Sequence, residues 1–205
     1  NDVPVTAAVS ASTNEDTAKT ITLSASDVEG SSLTYSIVSN PSNGSLGSVS
    51  GTSVVYTPTA NWNGTDTFTY KSNDGTADGN TATVTVTVAA VNDAPIAHNG
   101  SISTNEDNNV SFVLRHTGNA SGPSNDSNGN AEIGAYDYDV EAPTSWSANY
   151  TWSIVNSGSN GTAAISGGND VTYTPNANWN GTDTFTFKAN DGTADSNTAT
   201  VTVTV

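Results

Sequence analysis

The sequence contains no cysteine and no methionine, and its only cationic side chains are Lys19, Lys71, Arg115 and Lys188. The missing cysteines exclude a disulfide-stapled fold and any thiolate metal site. They do not by themselves place the chain in a reducing compartment. No run of about 18 apolar residues occurs, so no stretch is suited to crossing a bilayer as a helix. No export signal is visible at Asn1, which reads as material from within a longer chain. The only histidines, His98 and His116, sit in no nucleophile motif. No Gly-rich phosphate loop is present, so an enzyme is not expected. Asp137, Asp139 and Glu141 are close neighbours on one stretch and do not flank a sugar as a glycosidase pair does. Twenty carboxylates give a formal net charge of −16. Nucleic acid and anionic membranes are poor partners for such a surface.

What is present is repetition. Tyr56-Thr57-Pro58, the run from Asn61 to Tyr70 and Asn73-Asp74-Gly75-Thr76-Ala77-Asp78 recur 117 residues later. The later copies are Tyr173-Thr174-Pro175, the run from Asn178 to Phe187 and Asn190-Asp191-Gly192-Thr193-Ala194-Asp195. The front ends repeat at an offset of 91: Asn1-Asp2-Val3-Pro4 with Asn92-Asp93-Ala94-Pro95, and Asn14-Glu15-Asp16 with Asn105-Glu106-Asp107. The difference, 117 − 91 = 26, is an insertion inside the second repeat. Two domains follow, 1–91 and 92–205. Pro95 fixes its own φ and extends Ala94, so the seam between them should be short and stiff.

Repeat 1 predicts strands over 5–10, 19–25, 33–39, 44–47, 53–57, 65–72 and 80–88. Their apolar residues alternate with period two, and Asn43-Gly44, Asn63-Gly64 and Asp74-Gly75 are turn signals. Short, evenly punctuated strands with no helical period predict an all-β fold, a β-sandwich in each repeat. Tyr35, Tyr56, Trp62, Phe68 and Tyr70 read as core or its rim rather than as a sugar platform. Repeat 2 follows the same plan to Leu114 and then enters loop composition near 115–135. Tyr136, Tyr138, Trp146 and Tyr150 lie near the inserted residues. Two readings stand for them. They line a groove for a glycan or peptide, or they pack the extra loop onto the sandwich.

The carboxylates fall into recurring slots. An Asn-Glu-Asp precedes the second strand (Glu15, Glu106). Asp27 and Glu29, or Asp137, Asp139 and Glu141, follow it. An Asn-Asp-Gly follows the sixth strand (Asp74, Asp191), and an Asn-Asp opens each repeat. A sandwich gathers its loops at two ends. Glu15, Asn92, Asp93, Asp137, Asp139 and Asp191 are therefore expected at one junction. Even in water, two carboxylates about 4 Å apart repel by roughly 1 kcal/mol. Of the four cations only Lys19 and Lys188 lie near them in sequence, too few to neutralise the cluster. Ca²⁺ takes six to eight oxygen ligands and would do so, whereas Zn²⁺ wants His or Cys. Each acid taken singly also reads as a turn-former or a surface charge.

The runs Ala25-x-Asp27-x-Glu29-Gly30-x-x-Leu33-Thr34-Tyr35-Ser36-Ile37, Asp74-x-x-Ala77 leading to Ala82-Thr83-Val84-Thr85-Val86, and Val91-Asn92-Asp93-Ala94-Pro95 together resemble a cadherin repeat. They resemble more closely the cadherin-like tandem repeats of large bacterial surface adhesins exported by type I secretion, the RTX-adhesin type. The resemblance implies Greek-key sandwiches, Ca²⁺ at each interdomain junction, and a cell-surface role in adhesion or in extending a binding tip. Carried over by motif, Glu15, Asn92, Asp93, Asp137, Asp139 and Asp191 are the implied ligands. Asp2, Asp27, Glu29 and Asp74 form a possible half-site at the start, and Glu106 with Asp183 another at the end. Two departures stand out. Ala90 occupies the place of a linker acid, and the Asp-Arg-Glu motif after the fifth strand has no counterpart. Asn61, Asn63 or Asp66 would have to substitute. The expected function is a calcium-rigidified extracellular spacer whose partners are neighbouring repeats of the same chain. The alternative is a glycan- or peptide-binding module built on the second repeat.

Overall fold

In the computed structural model, the period-two stretches become strands, and their inward-facing residues form two separate cores. It describes residues 1–116, 133–136 and 150–205. Among these there is no helix, and the chain divides into two compact units, Asn1–Val91 and Asn92–Val205.

Unit 1 holds β1 (Val5–Thr6), β2 (Val9–Asn14), β3 (Lys19–Thr22), β4 (Ala25–Ser26), β5 (Thr34–Ser39), β6 (Gly44–Leu46), β7 (Ser53–Pro58), β8 (Gly64–Asn73) and β9 (Ala82–Ala89). One sheet runs β2-β9-β8-β5, the facing sheet runs β3-β7-β6, and β1 pairs with β4. Strict alternation in β8 and β9 turns Phe68, Tyr70, Val84, Val86 and Val88 into the core. The same alternation leaves threonines on the outer face, where Thr65 faces Thr87, Thr67 faces Thr85 and Thr69 faces Thr83 across the ladder. Branched hydroxylated side chains suit a solvated strand face.

Two stretches expected as single strands are each broken in two. The segment 5–10 becomes β1 and β2, and 19–25 becomes β3 and β4. The chain changes sheets at both places. Across Ala7 and Ala8 the chain leaves β1, the partner of β4, and continues as β2, which pairs with β9 in parallel. Tyr70 ties the two crossings together. Its hydroxyl lies 2.6 Å from the Ala7 carbonyl oxygen and accepts the Ser24 N–H at 3.0 Å. Ala7 also donates its N–H to the Ser24 oxygen. Alternation cannot reveal such a crossing, because both halves keep the same pattern.

Unit 2 holds β10 (Ile96–Ala97), β11 (Gly100–Ser103), β12 (Val110–His116), β13 (Ile133–Tyr136), β14 (Thr151–Asn156), β15 (Gly161–Ser166), β16 (Asp170–Pro175), β17 (Thr182–Asn190) and β18 (Ala199–Thr204). Its sheets run β11-β18-β17-β14 and β10-β13-β12-β16-β15. The insertion changes one feature of the plan. β13 takes the place of β4 beside β10, and it also runs parallel to β12. Glycine makes room for it. A Cβ on Gly134 would lie 1.7 Å from the Arg115 carbonyl oxygen, and one on Gly100 would lie 2.4 Å from Ile133. Unit 1 carries Val9 where unit 2 carries Gly100. Ile133 itself is fully buried. The insertion is thus keyed into the core by its return strand.

β5 and β14 are sheet-end strands, and each breaks register at an exposed valine, Val38 or Val155. A bulge there keeps the sheet edge from pairing with another chain.

Candidate functional site

Each unit gathers loops at an N-terminal pole. In unit 1 this pole collects the chain start and the loops after β4 and β8. The Asn1 amide donates to Asp74 Oδ2 at 2.8 Å, and the Asp2 N–H donates to Glu29 Oε1 at 2.9 Å. The amino terminus lies 3.6 Å from Glu29. Asp74 Oδ1 caps its own turn by accepting the Thr76 and Ala77 N–H groups. These bonds, led by Ala77 and followed by the Asn1 amide, hold the Asp74 carboxyl below its ordinary value. Asp27 Oδ1 accepts the Ser31 N–H at 2.8 Å, but Asp27 Oδ2 is buried with no hydrogen bond. A buried acceptor without a donor costs about 1–3 kcal/mol, and more when charged. The donor set at this pole is all oxygen, and Asp27 Oδ2 is left without a donor. Oxygen donors are the kind a hard cation takes, but Asp2, Asp27, Glu29 and Asp74 do not converge as a metal cluster here.

Unit 2 repeats the arrangement. The Asn92 amide donates to Asp191 Oδ2 at 3.0 Å, as Asn1 does to Asp74. Asp191 Oδ1 takes the Thr193 and Ala194 N–H groups. Burial alone would raise Asp191, but the Ala194 N–H and the Asn92 amide outweigh it, so its carboxyl stays below the usual range. Asp93 is half-buried. Asp137 and Asp139 lie outside the described residues. Among the described residues, no three acidic or histidine side chains converge as a metal cluster.

The C-terminal poles also match each other. Glu15 is 5% exposed, and its Oε1 accepts the Val91 N–H at 2.6 Å. Its own N–H donates to the Ala89 oxygen. Glu15 therefore clamps the strand that leaves unit 1. Glu106 is exposed. Asp16 accepts the Asn61 N–H at 3.0 Å and Asp107 accepts the Asn178 N–H at 2.8 Å. All four of these residues are left-handed, with φ between 53° and 61°. Asp and Asn tolerate that region better than other side chains. Asp16 and Asp107 were not singled out from the sequence, although the doubled Asn-Glu-Asp motif carries them.

Asp66 and Asp183, expected as possible cation ligands, are structural. Both are buried. Asp66 accepts the N–H groups of Ser42, Asn43 and Thr67 and the Tyr56 hydroxyl. Asp183 accepts from Ser159, Asn160 and the Tyr173 hydroxyl. Every oxygen of both carboxylates is engaged inside its sandwich. Burial, followed by the bond to the carboxylate, pushes the Tyr56 and Tyr173 hydroxyls well above the phenol range. Burial alone would also raise Asp183, but the Tyr173 hydroxyl and the Asn160 and Ser159 N–H groups hold it below its ordinary value. Period-two reading places these acids on the inward face with Phe68 and Phe185. That parity was the available signal.

The ligand-groove residues of the second repeat are mostly out of view. Tyr138 and Trp146 lie outside the described residues. Tyr136 is seen as backbone in β13. Tyr150 packs edge-on to Trp152, with ring centroids 5.7 Å apart, and belongs to the rim of the unit 2 core. His98, expected as an exposed strand residue, instead follows β10 and is half-buried, with its N–H on the Gly134 oxygen.

Human protocadherin-24 EC1-2 is similar in fold. It is 18% identical, the match covers 100% of this chain and 98% of that one, and the TM-score is 0.55. The extracellular cadherin domains 3–6 of protocadherin gamma B2 match at 18% identity over 100% of this chain and 51% of theirs, with a TM-score of 0.45. An endo-fucoidan hydrolase of glycoside hydrolase family 107 matches at 19% identity over 99% of this chain, with a TM-score of 0.37. The chain spans 28% of that hydrolase. No curated protein matches the sequence. The family model of the bacterial Ig domain matches twice, over residues 1–87 and 92–204. The chain therefore belongs to the bacterial Ig domain family and carries two tandem copies of it.

Proposed function

We propose that the two domains are extracellular spacer repeats of a bacterial surface adhesin, stiffened by Ca²⁺ bound at the N-terminal pole of each domain. The observation that carries this reading is Asp27 Oδ2, a buried carboxylate oxygen with no hydrogen bond, in a protein of net charge −16. The duplicated amide-to-carboxylate pairs support it, Asn1 with Asp74 and Asn92 with Asp191. For unit 1 the proposed ligands are Asp2, Asp27, Glu29 and Asp74. For unit 2 they are Asn92, Asp93 and Asp191, together with Asp137 and Asp139. Asp66 and Asp183 are not among them, because their oxygens are engaged in the cores. Bound Ca²⁺ would supply charge neutralisation and cross-linking, and the chain's own work would be to hold the oxygens in place.

The test is metal content and melting of the purified chain, with Asp27→Asn and Asp93→Ala as variants. Extracellular sites of this class have dissociation constants of about 10⁻⁴–10⁻³ M. At 100 times that concentration, one site adds about 2.7 kcal/mol. The expected result is bound calcium, a raised melting temperature and a smaller rise in each variant. Equal melting with Ca²⁺ and with chelator would sink the proposal.

A further inference from the structure

Glu15 stands in the turn that follows β2, with its side chain buried. β2 runs parallel to β9, and their register ends with Asn14 opposite Ala89. One step further, Glu15 comes opposite Ala90. A parallel ladder joins a residue to the two neighbours of its partner, through its N–H to one and its carbonyl oxygen to the other. The Glu15 N–H does donate to the Ala89 oxygen at 2.9 Å. The Val91 N–H, which the ladder would send to the Glu15 backbone carbonyl, goes instead to Glu15 Oε1 at 2.6 Å. The cause lies one residue on. Asp16 is left-handed, with a φ of 55°, and starts the return towards β3. Thr13 Oγ1 closes that turn by donating to the Thr17 oxygen at 2.9 Å. The backbone turns away with one rung of the ladder left to make, and the carboxylate supplies the rung. A charged acceptor makes that rung stronger than a carbonyl would.

The resemblance to cadherin linkers makes Glu15 a Ca²⁺ ligand, and the residue does not fit that role. It is buried, its Oε1 is committed to main chain, and the linker position that would share an ion with it is Ala90. We propose that Glu15 is a positioning residue: it completes the β2–β9 ladder and so fixes the strand that leaves unit 1, without an ion. Protein atoms alone then hold Ala89 to Val91. Calcium, where bound, acts on a chain whose exit from unit 1 is already set. The clamp needs no ion and stands apart from the calcium reading.

The test is residue-by-residue amide exchange of the intact chain, first in chelator and then in millimolar Ca²⁺. The Val91 amide is expected to be protected in both solutions, to within about twofold. Glu15→Ala should speed Val91 exchange at least about tenfold, while Val84 and Val86 in the middle of β9 keep their protection. That local loss separates a clamp from general destabilisation. Glu15→Gln keeps an oxygen acceptor without the charge. It should restore most of the Val91 protection and leave Ca²⁺ affinity, read by calorimetry, within about threefold. Glu106 is exposed, so Glu106→Ala is the control and should leave Val91 unchanged. Val91 protection that appears only with Ca²⁺ would overturn the proposal. So would a loss of Ca²⁺ affinity of about tenfold in Glu15→Gln, which would return Glu15 to the ligands. Equal Val91 exchange in Glu15→Ala and the parent would overturn it as well. Protection in chelator from a chain that binds no Ca²⁺ at all would remove the calcium reading and uphold the clamp.

Discussion

At the scale of single residues, the buried Tyr–Asp pairs are the points where one atom matters most. Tyr173 donates to Asp183 at 2.7 Å and Tyr56 to Asp66 at 3.1 Å. Removing either hydroxyl leaves a buried carboxylate oxygen short of a donor. Tyr173→Phe and Tyr56→Phe are expected to lower stability by about 1–3 kcal/mol each in denaturant titrations. Asp183 also sets a pH dependence. Its carboxyl sits below its ordinary value in the folded chain. The unfolded chain therefore takes up the proton first as the solution is acidified. The stabilisation is complete above about pH 4 and is lost as pH falls through the depressed folded value. Melting followed over this range should decline with acid, and Asp183→Asn should flatten the decline.

At the scale of elements, the two repeats solve one crossing differently. Unit 1 ties its sheet-switching strands through the Tyr70 hydroxyl, and unit 2 has Phe187 at that position and relies on β13 instead. Tyr70→Phe should cost about 1–3 kcal/mol, because the Ser24 N–H loses its partner in a partly buried place. Gly134→Ala should do more, since the new Cβ would lie 1.7 Å from the Arg115 backbone oxygen and cannot be relieved by a side-chain rotation. The expected result is loss of hydrogen-exchange protection in β12 and β13 with unit 1 unchanged. Equal protection in both proteins would show that the return strand is not keyed as described.

At the scale of the molecule, charge is the governing fact. A chain of net charge −16 in which two of the four cations are tied to neighbouring aspartates has little of its own to offset the acids gathered at its loops. Millimolar Ca²⁺ is expected to raise the melting temperature, and chelator to reverse the rise. Magnesium should substitute poorly, because it keeps its waters and demands tighter geometry. Scattering profiles recorded with and without Ca²⁺ should differ if the ion stiffens the tandem, and should superimpose if it does not.

The repeat, the two-domain plan, the strand alternation and the inward placement of Phe68, Tyr70, Val84 and Val86 were legible from residue order alone. They depend on local periodicity and on duplication, which a linear chain displays directly. The poles were partly legible, because Asn1, Asp74, Asn92 and Asp191 recur in matched motifs. Which acids serve the core was decided by tertiary structure. Asp66 and Asp27 are both short carboxylates in turn-rich sequence, yet one is filled by backbone N–H groups and a tyrosine, and the other keeps a buried oxygen unpaired. The crossing points at Ala7 and Ser24 and the seat of Ile133 against Gly100 were likewise invisible in one dimension. Each depends on which strands become neighbours, and hydrogen-bond partners far apart in sequence are chosen only when the sheets close.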